Sequence, residues 1–355
     1  MEKIIIAGAG GAPSEGVIRS LLKSEKQEEI IGMGSEPTDL VLSAAKKKYL
    51  VPYADDPRYK ESLLQILQKE KPSLIHFQND LEVFHASLLR DDIHATGAKT
   101  FMPSHEVIDT CVDKYKTYLR FKSANITVPE NMLINDESDL EKAFEELGDS
   151  DAKIWLRSAS IGAGGKGALP TNDFYFAKGW IDRFNGWGNF VAAEMLTSNT
   201  VTWLSIWHEG ELIVAQTRLR KGWTHSNRTL SGVTGVTKVG QTYSDESVNE
   251  IAIKSIYAVD EKPHGIFGVD MAYDKNGIPN PTEINISRFF TTVLFFTEAG
   301  LNMPAIFKDI VLYNEYPEPE KKINPLPDGL MWLRGMDTAP RLIRSEDLEK
   351  EIIIS

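Results

Sequence analysis

The chain of 355 residues carries 51 Asp and Glu against 39 Lys and Arg, a formal charge of −12, with 42% apolar residues and one cysteine. Its length suits two or three domains of roughly 100 to 200 residues; its charge argues against a counterion-releasing nucleic-acid surface, and the lone cysteine excludes a disulfide framework or a Cys-rich zinc module. No run approaches the ~20 apolar residues of a membrane helix, and the apolar opening at residues 4–9 is too short for a signal segment, so a soluble cytoplasmic enzyme with no nucleic-acid or membrane partner is expected.

The first hundred residues alternate strand-like and helical patterns. Residues 3–9 form a short aliphatic run, 14–24 carry Val17, Ile18, Leu21 and Leu22 at helical spacing, and 29–33 form a second run. The helical period returns at Leu63, Leu64, Ile66 and Leu67, and Pro72 separates it from the run 74–77. Strands separated by helices make a parallel, doubly wound sheet the economical reading. The loop 8–16, GAGGAPSEG, stands where a dinucleotide fingerprint would, but Pro13 occupies the last glycine position. Glu36, near the end of the second run, still keeps a nicotinamide-dependent oxidoreductase open as an alternative. Asp113 is placed to cap a helix bearing Tyr115, Tyr118 and Leu119 that ends before Pro129.

Beyond residue 150 the texture changes to α+β. Strand-like runs fall at 154–157, 190–195, 201–207, 211–219 and 265–273, and a helical pattern spans 248–259. The Pro-rich stretch 315–328 reads as an irregular connection. Cys111 lies in an apolar helical pattern and reads as a buried small residue. His76, His85, His94 and His105 lack metal-ligand spacing within one element.

Residues 265–288, GIFGVDMAYDKNGIPNPTEINISR, form the most informative passage. A hairpin turning at Asn276-Gly277 sets Asp270 opposite Glu283. Alternation puts Phe267, Val269, Met271, Ile284 and Ile286 on an apolar face, and Asp270, Glu283, Asn285 and Ser287 on the other. Opposed like charges destabilise a strand pair unless something neutralises them, and a hard cation such as Mg²⁺ would do so. Water on an exposed hairpin face would serve as well. Residues 157–168, RSASIGAGGKGA, follow a strand with four glycines around Lys166; Arg157, Lys166 and the backbone at Gly164 and Gly165 can wrap a phosphate chain, although no P-loop is spelled out. Arg218 and Arg220 alternate onto one strand face as candidates for a substrate carboxylate or an acyl phosphate, and the loop with His225 and Arg228 as one that closes over substrate.

In order and spacing these residues resemble the ATP-grasp superfamily, in particular the branch of the carbamoyl-phosphate synthetase large subunit and biotin carboxylase. The resemblance implies a Rossmann-like domain over residues 1–112, a small lid subdomain over 113–190 and a central subdomain with an extension over 191–355. It implies that Lys114 and Arg157 touch ATP phosphates and that Glu194, Met195 and Leu196 form the linker meeting adenine. Asp270, Glu283 and Asn285 would hold Mg²⁺, and Arg288 would face the reacting phosphoryl group. Two departures stand out: residues 199–202 lack the acid that binds ribose in relatives, and EINISR replaces the usual Glu-x-Asn-Pro-Arg, with the arginine one residue late and its direction open. The implied reaction converts a carboxylate to an acyl phosphate and couples it to an amine, with a homo-oligomer left open. Besides the oxidoreductase, a non-catalytic nucleotide-binding protein on the same scaffold remains an alternative.

Overall fold

A computed structural model describes residues 1–160, 167–224, 230–231, 235–335 and 340–347. Along the first third, β1 (Lys3–Ala7), α1 (Ala12–Leu22), β2 (Glu29–Gly34), α2 (Pro37–Leu42), β3 (Lys47–Leu50), α3 (Tyr59–Glu70) and β4 (Leu74–His76) alternate. The strands lie in the order β3-β2-β1-β4, all parallel. β1, β2 and β4 are the apolar runs of the sequence. β3 has no such signal, because an edge strand reading KKYL is mostly exposed and shows no apolar alternation.

Four helices follow: α4 (Asp80–Leu88), α5 (Arg90–Ala95), α6 (His105–Val112) and α7 (Lys114–Ser123). Asp113 caps α7 as its position predicts, accepting from the backbone N–H of Tyr115 and Lys116, an interaction typically worth about 1 kcal/mol. Next come β5 (Asn131–Ile134), α8 (Glu137–Leu147), β6 (Ile154–Ser158), β7 (Leu169–Thr171), α9 (Phe174–Arg183) and β8 (Phe190–Ala193). Their strands make an antiparallel sheet, β5-β8-β6-β7. This sheet has a core of its own, with Leu140, Ala143, Ala177 and Ile181 packed on Ile134, Leu156, Leu169 and Phe190.

The remaining strands form one large antiparallel sheet. In chain order they are β9 (Thr200–His208), β10 (Glu211–Trp223), β11 (Thr237–Thr242), then after α10 (Glu246–Val259) β12 (Gly265–Tyr273) and β13 (Pro279–Ile286). After α11 (Val293–Glu298) and α12 (Met303–Tyr313) come β14 (Leu330–Leu333) and β15 (Arg341–Arg344). Spatially the order is β13-β12-β9-β10-β11-β14-β15. β12 is buried at every position but its last. One face, with Val201, Trp203, Phe267, Val269 and Ile284, joins the core shared with α10 and helices α3 to α7. The other, with Leu204, Ile206, Val214 and Ile266, packs on Phe289, Phe295, Phe296 and Phe307. The expectation of one core face and one polar face is therefore corrected: both faces carry buried apolar residues, and Asp270, Glu283 and Asn285 share the second with them. No described helix is long and apolar enough to cross a membrane.

The hairpin pairs Asp270 with Glu283 by an unexpected route. Asp274 and Ile278 close a turn in which Gly277 has φ +78°, and the pairs nearest it, such as Tyr273 with Pro279, are offset by one residue from a two-residue turn at Asn276-Gly277. A bulge between Asp270 and Met271 restores the register, so that Val269 meets Ile284 and Gly268 meets Asn285.

Candidate active site

The ladders of the large sheet bring one residue from each of four strands into a row: Glu283 on β13, Asp270 on β12, Thr202 on β9 and Arg218 on β10. Asp270 is 6% exposed. The Thr202 hydroxyl donates to its Oδ1 at 2.6 Å, and Arg220 pairs with Oδ2. Burial pushes the Asp270 carboxyl up, but Arg220, the Thr202 hydroxyl and Arg218 outweigh it and hold the group below the usual carboxylate range. Glu283 stands 3.8 Å from the Lys114 ammonium. Asp270 is thus paired with Arg220, and Glu283 lies beside Lys114, so side chains supply part of the neutralisation that the opposed acids require.

Lys114 begins α7, and its backbone N–H donates to Ala159 just past β6 at 2.8 Å, fixing the helix start beside the strand that carries Arg157. Arg157 donates from Nη2 to the Thr282 carbonyl at 3.0 Å. Burial lowers its pKa while Glu283 opposes the shift, so the guanidinium lies within electrostatic reach of that acid. Gly164, Gly165 and Lys166, like His225 and Arg228, lie outside the described residues. Glu194, Met195 and Leu196 connect β8 of the small sheet to β9 of the large one. Glu194 accepts from the Glu130 N–H at 2.9 Å, and Thr197 donates twice to the Tyr273 carbonyl, clamping this linker to the acid-bearing end of β12.

Arg288 faces the site despite its late position. Ser287 takes up the extra residue at φ +56°, a conformation disfavoured for a side chain other than glycine. Arg288 then reaches Asp80 through Nε at 2.5 Å and Nη2 at 3.1 Å and also pairs with the Asn285 side chain. Burial lowers the Arg288 pKa; Asp80, Glu283 and Asp270 more than offset it. Arg218 differs from Arg220. It is 1% exposed, donates to Thr292 at 2.5 Å and to Thr202 at 2.9 Å, and lies 4.1 Å from the Phe290 ring, so its place is beneath the site rather than against a substrate.

Thr202, Thr292 and Asp80 were not legible as site residues. A lone threonine in an apolar strand gives no signal, whereas Asp80, at the carboxyl end of a parallel strand, occupies the position where such sheets bind ligands. Several buried donors here lack a partner among the described residues: Nε of Arg157, Arg218 and Arg220, and the hydroxyls of Thr200 and Ser287. Unpaired guanidinium donors beside two acids and an amide suit an oxyanion with a bound cation. The loop between β1 and α1 offers the opposite picture: the Glu15 carboxylate accepts from the N–H of Gly10 at 3.0 Å and of Ala44 at 2.9 Å. The Gly10 N–H is therefore already paired with a carboxylate of the chain.

No protein-family model and no curated protein matches the sequence. Solved structures do match. The L-amino acid ligase from Bacillus licheniformis superposes with a TM-score of 0.67 at 10% identity, covering 94% of this chain and 79% of that one. The carboxyaminoimidazole ribonucleotide synthase from Aspergillus clavatus, complexed with ATP, gives 0.68 at 16% identity over 94% and 81%. A biotin carboxylase domain from Hydrogenobacter thermophilus, in complex with MgADP, ADP and bicarbonate, gives 0.69 at 14% identity over 94% and 74%. The chain has the ATP-grasp fold. In this ATP-grasp fold the acid row lies on the large sheet, Arg157 reaches it from the small sheet, and Arg288 ties it to Asp80 beyond the first parallel sheet.

Proposed function

We propose that this protein is an ATP- and Mg²⁺-dependent ligase that activates a carboxylate as an acyl phosphate and couples it to an amine. One observation carries the reading: Lys114, Arg157, Arg220 and Arg288 converge on Asp270 and Glu283, with guanidinium donors of Arg157 and Arg220 unpaired among the described residues. Phosphoryl transfer needs this kind of arrangement, since catalysis lies in positioning oxygens and neutralising their charge rather than in a protein nucleophile. Lys114 and Arg157 would meet the phosphates, and the linker 194–196 would flank the adenine. Glu283, Asp270 and Asn285 would hold Mg²⁺, which supplies charge neutralisation at the transferring group. A carboxylate oxygen of the substrate attacks the terminal phosphorus and ADP leaves. The amine then attacks the acyl carbon, phosphate departs, and the amine's proton passes to solvent. Arg288 and Arg220 are placed to neutralise the acyl phosphate, and Arg218 holds Thr202 beneath them.

In this reading residues 1–112 form a Rossmann-like domain, 113–190 the lid subdomain and 191–355 the central subdomain with its extension, and the relationship to carbamoyl-phosphate synthetases concerns the chemistry of activation. The protein would work in the cytoplasm on small molecules. The occupied Gly10 amide counts against the oxidoreductase alternative.

The test is thermal shift followed by a substrate screen. MgATP should raise the melting temperature and NAD(P)H should not; a ligand at 100 times its Kd adds about 2.7 kcal/mol. Carboxylates screened with amines should then release ADP, and Glu283→Gln should lower that release at least about 100-fold with the fold intact. Stabilisation by NAD(P)H alone, or unchanged ADP release in Glu283→Gln, removes the reading.

A further inference from the structure

The second face of the large sheet is polar at both ends. Along β9, Thr202 belongs to the acid row, Leu204 and Ile206 are buried in an apolar core, and His208 ends the strand. Six residues of strand at about 3.3 Å each separate His208 from Thr202, so this end lies about 20 Å from the candidate active site.

We propose that His208, Glu209 and His264 form a binding site for a divalent transition-metal ion of the zinc class. The ladder between β9 and β12 runs to Trp207 and Gly265, so His264 stands opposite His208 one step beyond it. Glu209 and Gly210 make the turn into β10 with φ of +52° and +92°, the left-handed pair of a tight hairpin turn. The Gly210 N–H donates to the Pro263 carbonyl at 2.9 Å, tying this turn to the residue before His264. One ligand atom from each of the three side chains lies within 4.8 Å of the others. Ligands at the 2.0–2.2 Å of a tetrahedral zinc site stand about 3.4 Å apart, so small side-chain rotations close the set.

An independent observation concerns the His264 imidazole. Its Nδ1 is buried and has no hydrogen-bond partner among the described residues. Glu209 Oε1 lies 3.1 Å from that nitrogen, a contact that protonation of the ring would make an ion pair. An imidazole nitrogen set beside a carboxylate oxygen in this way, with a second imidazole alongside, is a chelating arrangement. Both rings are held in place. Phe101 lies 4.6 Å from His264 and stacks parallel to His208 at 6.2 Å, and the Tyr316 hydroxyl is 3.2 Å from His208 Nδ1. The remaining carboxylate oxygen, Oε2, is paired with Lys262 at 2.6 Å, and both partners are exposed, so this pair competes weakly for the acid. Two histidines and one carboxylate leave a coordination position open for water or a ligand. A cavity of about 520 Å³ adjoins both histidines and is lined also by His94, Lys99 and Asn314.

The test uses the full chain, stripped of metal and free of nucleotide, titrated calorimetrically with Zn²⁺ and spectroscopically with Co²⁺. One Zn²⁺ should bind per chain with a Kd of about 10 µM or tighter, and Co²⁺ should give visible d–d absorption of a nitrogen and oxygen ligand set. His208→Ala and His264→Ala should each weaken binding at least about tenfold. Glu209→Gln, on an exposed turn, should weaken it as well, and circular dichroism melts establish that each variant is folded. Glu283→Gln should leave Zn²⁺ affinity unaltered. Binding weaker than about 100 µM, binding that survives His264→Ala and Glu209→Gln, or binding lost instead in Glu283→Gln overturns the proposal, whatever the outcome of the ligase assay.

Discussion

At the scale of single residues, the site depends on a hydroxyl that the sequence does not advertise. Thr202 on β9 donates to Asp270 and accepts from Arg218, so one threonine couples an acid and a guanidinium buried on the two strands that flank its own. Arg220 completes the arrangement from a neighbouring position of β10, and Asp270 remains ionised because these donors together outweigh its burial. Glu82, at the start of α4, shows the opposite balance. It is buried, with the Asn79 side chain as its neighbour, and burial pushes its carboxyl up to about 7. In the unfolded chain the same group titrates near about 4.3. Between these values the folded state keeps a proton that the unfolded state has released, so stability is greatest below the lower pKa and falls as pH rises through the upper one. Glu82→Gln removes this dependence. In urea denaturation the variant should gain on the wild type between about pH 4.5 and 7.5, by up to about 3 kcal/mol. An unchanging difference across that range would show that Glu82 ionises normally.

At the scale of elements, close approaches decide what the sequence can and cannot reveal. Gly10 reads as part of a phosphate-binding loop, but its requirement is steric. A Cβ there would lie 1.8 Å from the Asp39 carbonyl oxygen of α2, and the backbone already sits at φ +92°. Gly97 has nearly the same angle, +91°, with nothing within 4 Å of a Cβ. Gly97→Ala should therefore cost about 1–2 kcal/mol from backbone strain alone, and Gly10→Ala at least about 3 kcal/mol because packing against α2 is disrupted as well. Urea midpoints of the two variants measure the difference directly; equal losses would mean that α2 moves aside without penalty. The same distinction accounts for what was legible. Strands β1, β2, β4 and β12 and the Asp113 cap follow from apolar runs and capping chemistry, which are local. The pairing of Asp270 with Glu283 was also readable, although only because a turn offset and a bulge cancel. Partners brought in by distant elements were not: Asp80 on Arg288, Lys114 on Glu283 and Thr202 between two strands depend on tertiary packing, and β3 lacks any apolar pattern.

At the scale of the whole molecule, the parallel sheet must be held against the large sheet for Asp80 to meet Arg288. Much of that interface lies between α1 and the helical pair α11 and α12. Ser20 accepts from the Thr297 hydroxyl at 2.7 Å and from the Asn302 amide at 2.8 Å, and Gly16 leaves room for Val293. Below them lies a buried ion pair: the Lys308 ammonium is 3.0 Å from Glu28 and also donates to Ser24 at 2.8 Å, while Tyr313 donates to Glu28. Both charged side chains are almost wholly buried, at 0% and 1% exposure. Removing Lys308 leaves Glu28 without its counter-charge in a medium of low polarity, which typically costs 3–5 kcal/mol, whereas Lys308 keeps a second acid, Asp309 at 3.1 Å, when Glu28 is lost; replacing both with apolar groups of similar size is often neutral. Lys308→Met should accordingly destabilise the protein by about 3–5 kcal/mol, and adding Glu28→Leu should restore most of the loss. Because the pair joins α12 to the segment between α1 and β2, the single variant should also weaken any MgATP-linked stabilisation that depends on Arg288, and the double variant should recover it. Equal stability of single and double variants in urea would place Glu28 in contact with water and this contact outside the forces that hold the two sheets together.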